Sequence, residues 1–161
     1  MTGARQLILD FAHRPALGKA DFLVSDCNRT AVAWVDRWPD WPAPSLTLYG
    51  PRASGKTHLA HVWAARSGAV VVRGQDIENR AAPDILDDAP GCVLDHADDI
   101  FDEEALLHLY NYVAETGGSL LLIARLPPAK WKIDLPDLSS RVGAAPAVGI
   151  RPPDDELLGA L

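Results

Sequence analysis

Positive charge is scarce in this chain: 15 Lys and Arg stand against 22 Asp and Glu, a formal net charge of -7 over 161 residues. That balance argues against a broad basic face gripping nucleic acid, so direct DNA binding is not expected, although it leaves room for a local patch. Cysteine is rarer still. Cys27 and Cys92 lie far apart with no CxxC spacing, so reduced, buried thiols are expected rather than a disulfide framework or a zinc module. No apolar run approaches a membrane span, and Arg5, Gln6 and Asp10 interrupt anything resembling a leader near Met1. A soluble, cytoplasmic protein is the expectation. Repeats and low-complexity tracts are missing too. Hydrophobic residues make up 48% and charged residues 23%, a globular balance, and the length suits one well-buried domain.

What is present is an alternation of short apolar runs with helical stretches. Residues 1–20 read as an irregular arm with one apolar cluster of Leu7, Ile8, Leu9 and Phe11. Asn28 is placed to cap a helix running to about residue 38, with Ala31, Val32, Trp34 and Val35 on its apolar face. The prolines Pro39, Pro42 and Pro44 must end it. Strands are predicted over 46–49, 69–72, 92–94, 119–123 and 147–150. Helices are predicted over 56–66 and 103–115, the second stopped by Gly117 and Gly118, and Asp154 starts another. Apolar strands separated by helices imply an α/β three-layer sandwich around a mainly parallel sheet.

The strongest motif lies between the first strand and its following helix. Gly50, Pro51, Arg52, Ala53, Ser54, Gly55, Lys56 and Thr57 have the spacing of a P-loop. Glycines let the backbone turn tightly so that successive N–H groups converge on an anion. The helix that follows adds its positive dipole end. Lys56 is expected to reach the β- and γ-phosphates, and Thr57 to give its hydroxyl to magnesium. Chance puts this pattern in well under about 1% of chains this long, so ATP or ADP with Mg2+ is the expected cofactor.

A buried strand should deliver an acid beside the metal, and Asp95, ending the run from Cys92, fits. His96 follows, where an imidazole can serve as a base. Asp98 and Asp99 read as solvated loop charges, or Asp98 as a partial substitute for a second acid. Smaller groupings point to packing or surface. His58 and His61 form a helix-surface pair without a third metal ligand in register. Trp34, Trp38 and Trp41 pack around the proline-rich turn. Asp84, Asp87 and Asp88 read as a solvated acidic loop.

Five segments stand in an order that resembles DnaA-type AAA+ ATPases. They are residues 21–28, the cradle continuing through His58, Leu59 and Ala60, the strand and turn over 92–100, the segment 120–131, and DLSSRVG over 137–143 followed by 150–158. The likeness covers nearly the whole chain and is greatest to the Hda-like regulators of replication initiation. It implies an arm over 1–20, a nucleotide-binding base subdomain over 21–152, and the start of a lid helix over 153–161. It also implies that Phe22, Leu23, Val24 and Asn28 lie near the adenine base, with the cradle and His58 on the phosphates. Arg141 matches the arginine finger, which in this family reaches a nucleotide held by a neighbouring protomer; on its own it also reads as a surface arginine at a helix end. Gln6, Leu7, Leu9 and Phe11 resemble the peptide that docks on the DNA polymerase sliding clamp. Without the family, the same residues read as an edge strand on the domain's own sheet.

Departures from the family pattern bear on mechanism. His96 stands where a second acid is common. Ile123 and Ala124 stand where a Thr, Ser or Asn usually senses the γ-phosphate, and an alkyl group cannot hydrogen-bond to it. The lid's sensor arginine is absent from the 161 residues. Weak or no intrinsic hydrolysis and a preference for ADP follow as expectations. The expected function is an adenine-nucleotide-binding regulator that docks on the clamp and promotes hydrolysis of DnaA-bound ATP, with homo-oligomerisation open. The alternative is a free-standing AAA+ ATPase that loads or remodels a replication partner. An origin-binding fragment lacks a basic helix-turn-helix region, and a small-molecule kinase lacks an obvious substrate lid.

Overall fold

A computed structural model of the chain describes residues 24–100 and 102–152. Strands β1 (Ser45–Tyr49), β2 (Val70–Arg73), β3 (Gly91–Asp95), β4 (Ser119–Ala124) and β5 (Ala147–Gly149) form one sheet. Its order is β2-β3-β4-β1-β5, and every neighbouring pair is parallel. The helices are α1 (Arg29–Arg37), α2 (Lys56–Ser67), α3 (Ala82–Leu86), α4 (Glu103–Glu115) and α5 (Pro136–Ala144).

Two cores, one on each face of the sheet, explain the continuous apolar runs. Leu46, Leu48, Val93, Leu121 and Ile123 pack against α1 and α2 through Val35, Leu59 and Trp63. Cys92, Leu94, Leu120 and Leu122 meet α3, α4 and α5 through Ile85, Leu106, Leu109 and Leu138. The α/β sandwich expected from the sequence is therefore the observed fold. Its sheet is parallel throughout because helices cover both faces.

The tryptophans pack as expected. Trp63 is fully buried, with Trp41 stacked on it at 5.5 Å and Trp38 edge-on at 6.0 Å. Trp38 Nε1 donates to Ser119 Oγ at 2.9 Å, and Trp41 Nε1 donates to the Trp34 carbonyl at 2.8 Å. Cys27 and Cys92 are free and buried, and burial pushes the Cys92 thiol up to about 12.

Helix α4 begins as its residues dictate. Asp102 accepts from the Ala105 N–H at 3.1 Å, and Glu103 and Glu104 sit in the dipole-favoured first turn. The Glu103 carboxylate also accepts from the N–H groups of Asp134 and Leu135, tying this end of α4 to the approach of α5. Helix α5 then buries Leu138 and Val142, one turn apart.

Several expectations need correction. Asn28 occupies the N-cap of α1 but makes no capping bond to it; its Oδ1 accepts from Ser25 N–H at 2.9 Å, closing the turn before the helix. The stretch holding Asp84, Asp87 and Asp88 is exposed but not all loop, since Asp84 lies inside α3. Helix α3 and the 3-10 turns Gly74–Ile77 and Pro128–Lys130 were not anticipated, and α5 was signalled only by the reading of Arg141 as a helix-end arginine. The arm with Gln6, Leu7, Leu9 and Phe11, the base-contact residues Phe22 and Leu23, and the lid helix lie outside the described residues. Among the described residues no helix is long and apolar enough to cross a membrane.

Candidate nucleotide site

Parallel strands deliver their following loops to one edge of the sheet, and that carboxyl edge is where open α/β sheets bind ligands. The loop from Gly50 to Gly55 leaves the end of β1 here and enters α2 at Lys56. Its shape depends on two glycines. Gly55 sits at φ 96°, in the left-handed region, and a side chain at Gly50 would strike the Ile150 carbonyl oxygen. Ala53 also takes a positive φ, 61°. Ser54 is buried, and its Oγ has no hydrogen-bond partner among the described residues.

Lys56 opens α2 and is only 8% exposed. Its Nζ donates to the Pro51 carbonyl at 2.9 Å, across the mouth of its own loop. Burial holds its pKa below the usual lysine value; Asp95 and Asp98 oppose that shift, while Arg125 and Arg52 reinforce it.

Above this loop lies a cavity of about 350 Å3. Arg52, Ala53, Lys56 and Thr57 form its cradle wall. Asp95 and His96 enter from β3, and Ile123, Ala124 and Arg125 from β4. Arg73, Gln75 and Asp99 complete the far side near β2. Arg52, Arg73 and Arg125 make no side-chain hydrogen bond or ion pair with other described residues. Guanidinium groups without partners among the described residues, beside a buried ammonium in a chain of net charge -7, make this cavity a candidate anion site.

The carboxyl edge also assigns the individual acids. Asp95 Oδ1 accepts from the His96 N–H at 2.9 Å. The residues fit magnesium as a phosphate-bound ion: Thr57 from the cradle and Asp95 from the end of β3 bring hard oxygen donors to one cavity. Among the described residues no cluster of three His, Cys, Asp or Glu could cage a metal by itself. His96 is exposed and adopts φ 57°. Asp98 does not line the cavity; its Oδ2 accepts from the N–H groups of Arg125 at 3.0 Å and Leu126 at 3.2 Å.

The other sequence-assigned residues stand apart from the cavity wall. Val24 is buried in the core under α1, and Asn28 is buried in the adjoining turn. Cys27 in that turn accepts from the Arg151 N–H at 3.0 Å, placing the turn beside the end of β5. Pro51 and His58 flank the cradle without lining the cavity. Arg141 is exposed on the last turn of α5, outside the cavity. Arg73, Gln75 and Arg125 are site residues that sequence reading missed. The available signal was their place at or just after the carboxyl ends of β2 and β4.

No protein-family model matches the sequence. Among solved structures, domain III of the replication initiation protein DnaA from Thermotoga maritima aligns with a TM-score of 0.72 at 17% identity, over 91% of this chain and 73% of that one. The initiator DnaA bound to AMPPCP and single-stranded DNA aligns with a TM-score of 0.69 at 19% identity, over 86% of this chain and 50% of that one. AMPPCP-bound DnaA from Aquifex aeolicus gives 0.66 at 19% identity, over 81% and 49%. The chain thus matches about half the length of these last two proteins. At such identities the likeness is one of fold: this five-stranded parallel α/β domain is built like domain III of DnaA.

Proposed function

We propose that the chain binds an adenine nucleotide with magnesium at the cradle and acts as a regulator of chromosomal replication initiation. The observation that carries the binding is the cavity in which Arg52, Lys56, Arg73 and Arg125 meet a P-loop, although the chain as a whole is acidic. Two DnaA structures of similar fold hold AMPPCP, which supports an adenine triphosphate as the ligand class. In this reading the cradle amides and Lys56 hold the phosphates, and Thr57 and Asp95 hold the magnesium. That ion would neutralise charge on the phosphate oxygens. The resemblance assigns the base to Phe22, Leu23, Val24 and Asn28, of which Val24 and Asn28 are buried beside the end of β5 rather than in the cavity wall.

Regulation follows from two further groups. Gln6, Leu7, Leu9 and Phe11 dock on the DNA polymerase sliding clamp as an extended peptide, apolar side chains in a groove and the glutamine at its rim. Arg141 is presented to ATP bound by DnaA and stabilises charge that builds on the transferring phosphoryl group, promoting hydrolysis there. Its exposure outside the chain's own cavity supports action on another molecule's nucleotide. Hydrolysis by the chain itself is weak, because Ile123 and Ala124 end β4 without a hydrogen-bonding side chain.

A clamp pull-down tests the tether: Leu7→Ala/Phe11→Ala should abolish retention, and unchanged retention would sink it. Arg141→Ala should remove stimulation of DnaA's ATPase while sparing clamp binding. A second reading, a self-sufficient ATPase that loads a partner, is supported by His96 on the cavity wall, where an imidazole can act as a base. Turnover by the chain alone, lost in Lys56→Ala, would favour that reading.

A further inference from the structure

Strand β5 ends the sheet, and among the described residues nothing pairs with its outer side. The Thr47 N–H donates to the Pro146 carbonyl at 3.0 Å, and the Ile150 N–H donates to the Tyr49 carbonyl at 2.7 Å. Residues 146 and 150 therefore face β1. By the period of two in a strand, the N–H and C=O groups of Ala147 and Gly149 face away from it. Arg151, the next position of that set, shows what this side does when a backbone reaches it: its N–H donates to the Cys27 carbonyl at 3.0 Å. The outer side is thus bonded at 151 and open at 147 and 149, both exposed.

A groove of about 310 Å3 adjoins the open positions. Ala147 lines it from β5, Tyr49 from the end of β1, Pro127 and Trp131 from the connection after β4, and Val142 and Gly143 from α5. Gly149 leaves room for the Tyr49 ring, which a side chain there would approach to 3.0 Å. Trp131 donates its Nε1 to the Leu126 carbonyl at 2.7 Å, so what it offers the groove is ring. A strand laid along β5 finds backbone partners on one side and an apolar slot for one side chain beside them.

The surroundings select the charge of that strand. Residues 125–152 hold Arg125, Lys130, Lys132, Arg141 and Arg151 against Asp134 and Asp137, in a chain of net charge -7. Lys130 closes the 3-10 turn whose Pro128 lines the groove, and Lys130 and Lys132 are both exposed. A second copy pairing edge to edge would set these cations against their own equivalents. Residues 1–23 carry Arg5, Arg14 and Lys19 against Asp10 and Asp21, so the chain's own arm also brings a positive balance.

We propose that the outer side of β5 is a docking edge for an acidic, extended segment of another protein, which adds to the sheet as a further strand and places one bulky apolar side chain in the groove. The groove shares no lining residue with the nucleotide cavity, so the proposal stands apart from the nucleotide reading.

The test titrates the full chain with a synthetic peptide of about eight residues, Asp or Glu alternating with Val around one central Phe. A control peptide carries Lys at the acidic positions. The acidic peptide should bind about tenfold or more tightly than the control and slow hydrogen exchange at the Ala147 and Gly149 N–H groups. At Gly143 an added Cβ meets nothing within 4 Å, so Gly143→Leu should fill the groove with the fold intact and weaken the acidic peptide about tenfold. Lys130→Glu/Lys132→Glu should weaken it by a similar factor, about tenfold, through charge. Equal binding of both peptides, binding of neither, or binding without protection at Ala147 and Gly149 overturns the proposal. An unchanged affinity in Gly143→Leu removes the groove from the site. A peptide of residues 6–11 that protects Ala147 and Gly149 more strongly than the acidic peptide gives the edge to the chain's own arm instead. Protection that rises with protein concentration in the absence of peptide gives it to a second copy, and either result overturns the assignment.

Discussion

Beneath the middle of the sheet the buried side chains are mostly apolar and pack against one another; at the carboxyl ends of the same strands charged side chains collect around a cavity. Leu48 and Leu121 are fully buried between helices, and Trp63 is closed in by Trp38 and Trp41. A few residues further along, Lys56 is buried against its own preference for charge, and Ser54 Oγ and the guanidinium groups of Arg52, Arg73 and Arg125 lack partners among the described residues. The packed region leaves neutral orphans, Ser45 Oγ, Thr47 Oγ1 and Trp63 Nε1, whereas the edge leaves cationic ones as well, which is what a candidate anion site in an otherwise consistent fold would show.

That contrast makes graded predictions. The largest effect belongs to the packed region: Trp63→Ala should cost about 3–5 kcal/mol of stability in denaturant titration. A loss below about 1 kcal/mol would mean that the face under α2 is looser than its burial indicates.

Next come the bonds that set α4 and α5. Glu103→Ala leaves the N–H groups of Asp134 and Leu135 without their acceptor and should cost about 1 kcal/mol, with faster hydrogen exchange over 136–144. Asp102→Ala should cost about 1 kcal/mol as a lost cap. The Asn79 N–H, followed by that of Ala105, holds the Asp102 carboxyl below its usual 3.8. The folded-state pKa is depressed, so this contribution is present above the usual value and is lost as pH falls through the lower folded one. Stability of wild type and Asp102→Ala should therefore converge on acidification below that usual value, and a gap that widens would refute the assignment.

The smallest effect is Arg141→Ala. Exposed at the end of α5, Arg141 should change stability by less than about 0.5 kcal/mol and leave the chain's own nucleotide affinity unaltered. A larger loss of stability would make it a helix-end residue rather than one offered to a partner.

Legibility in the sequence follows the same division. The strands announced themselves because burial on both faces demands unbroken runs such as Leu120, Leu121 and Leu122, and α4 because its apolar period is sustained from Ala105 to Val113. Helix α5 was signalled only by Arg141 as a helix-end arginine, because Leu138 and Val142 alone are buried, too few to raise a period, and α3 is five residues long within acidic sequence. The cradle was readable because its residues are contiguous. Arg73 and Arg125 were not, because they reach the cavity from the ends of β2 and β4, strands distant in sequence from the cradle, and no local pattern encodes the order of the sheet. The role of Asp98 in joining two loops was illegible for a related reason: its backbone partners lie 27 and 28 positions away.

The most direct test takes Lys56→Ala and wild type through equilibrium nucleotide binding and denaturant unfolding on the same samples. Burial lowers the folded pKa of Lys56, so its charge is opposed at neutral pH and that opposition eases only as pH rises. Removing the lysine should therefore leave the fold no less stable while nucleotide affinity falls by about 100-fold, roughly 2.7 kcal/mol. Nucleotide affinity that survives the substitution in a folded protein would contradict the claim that this edge of the sheet is completed by phosphate.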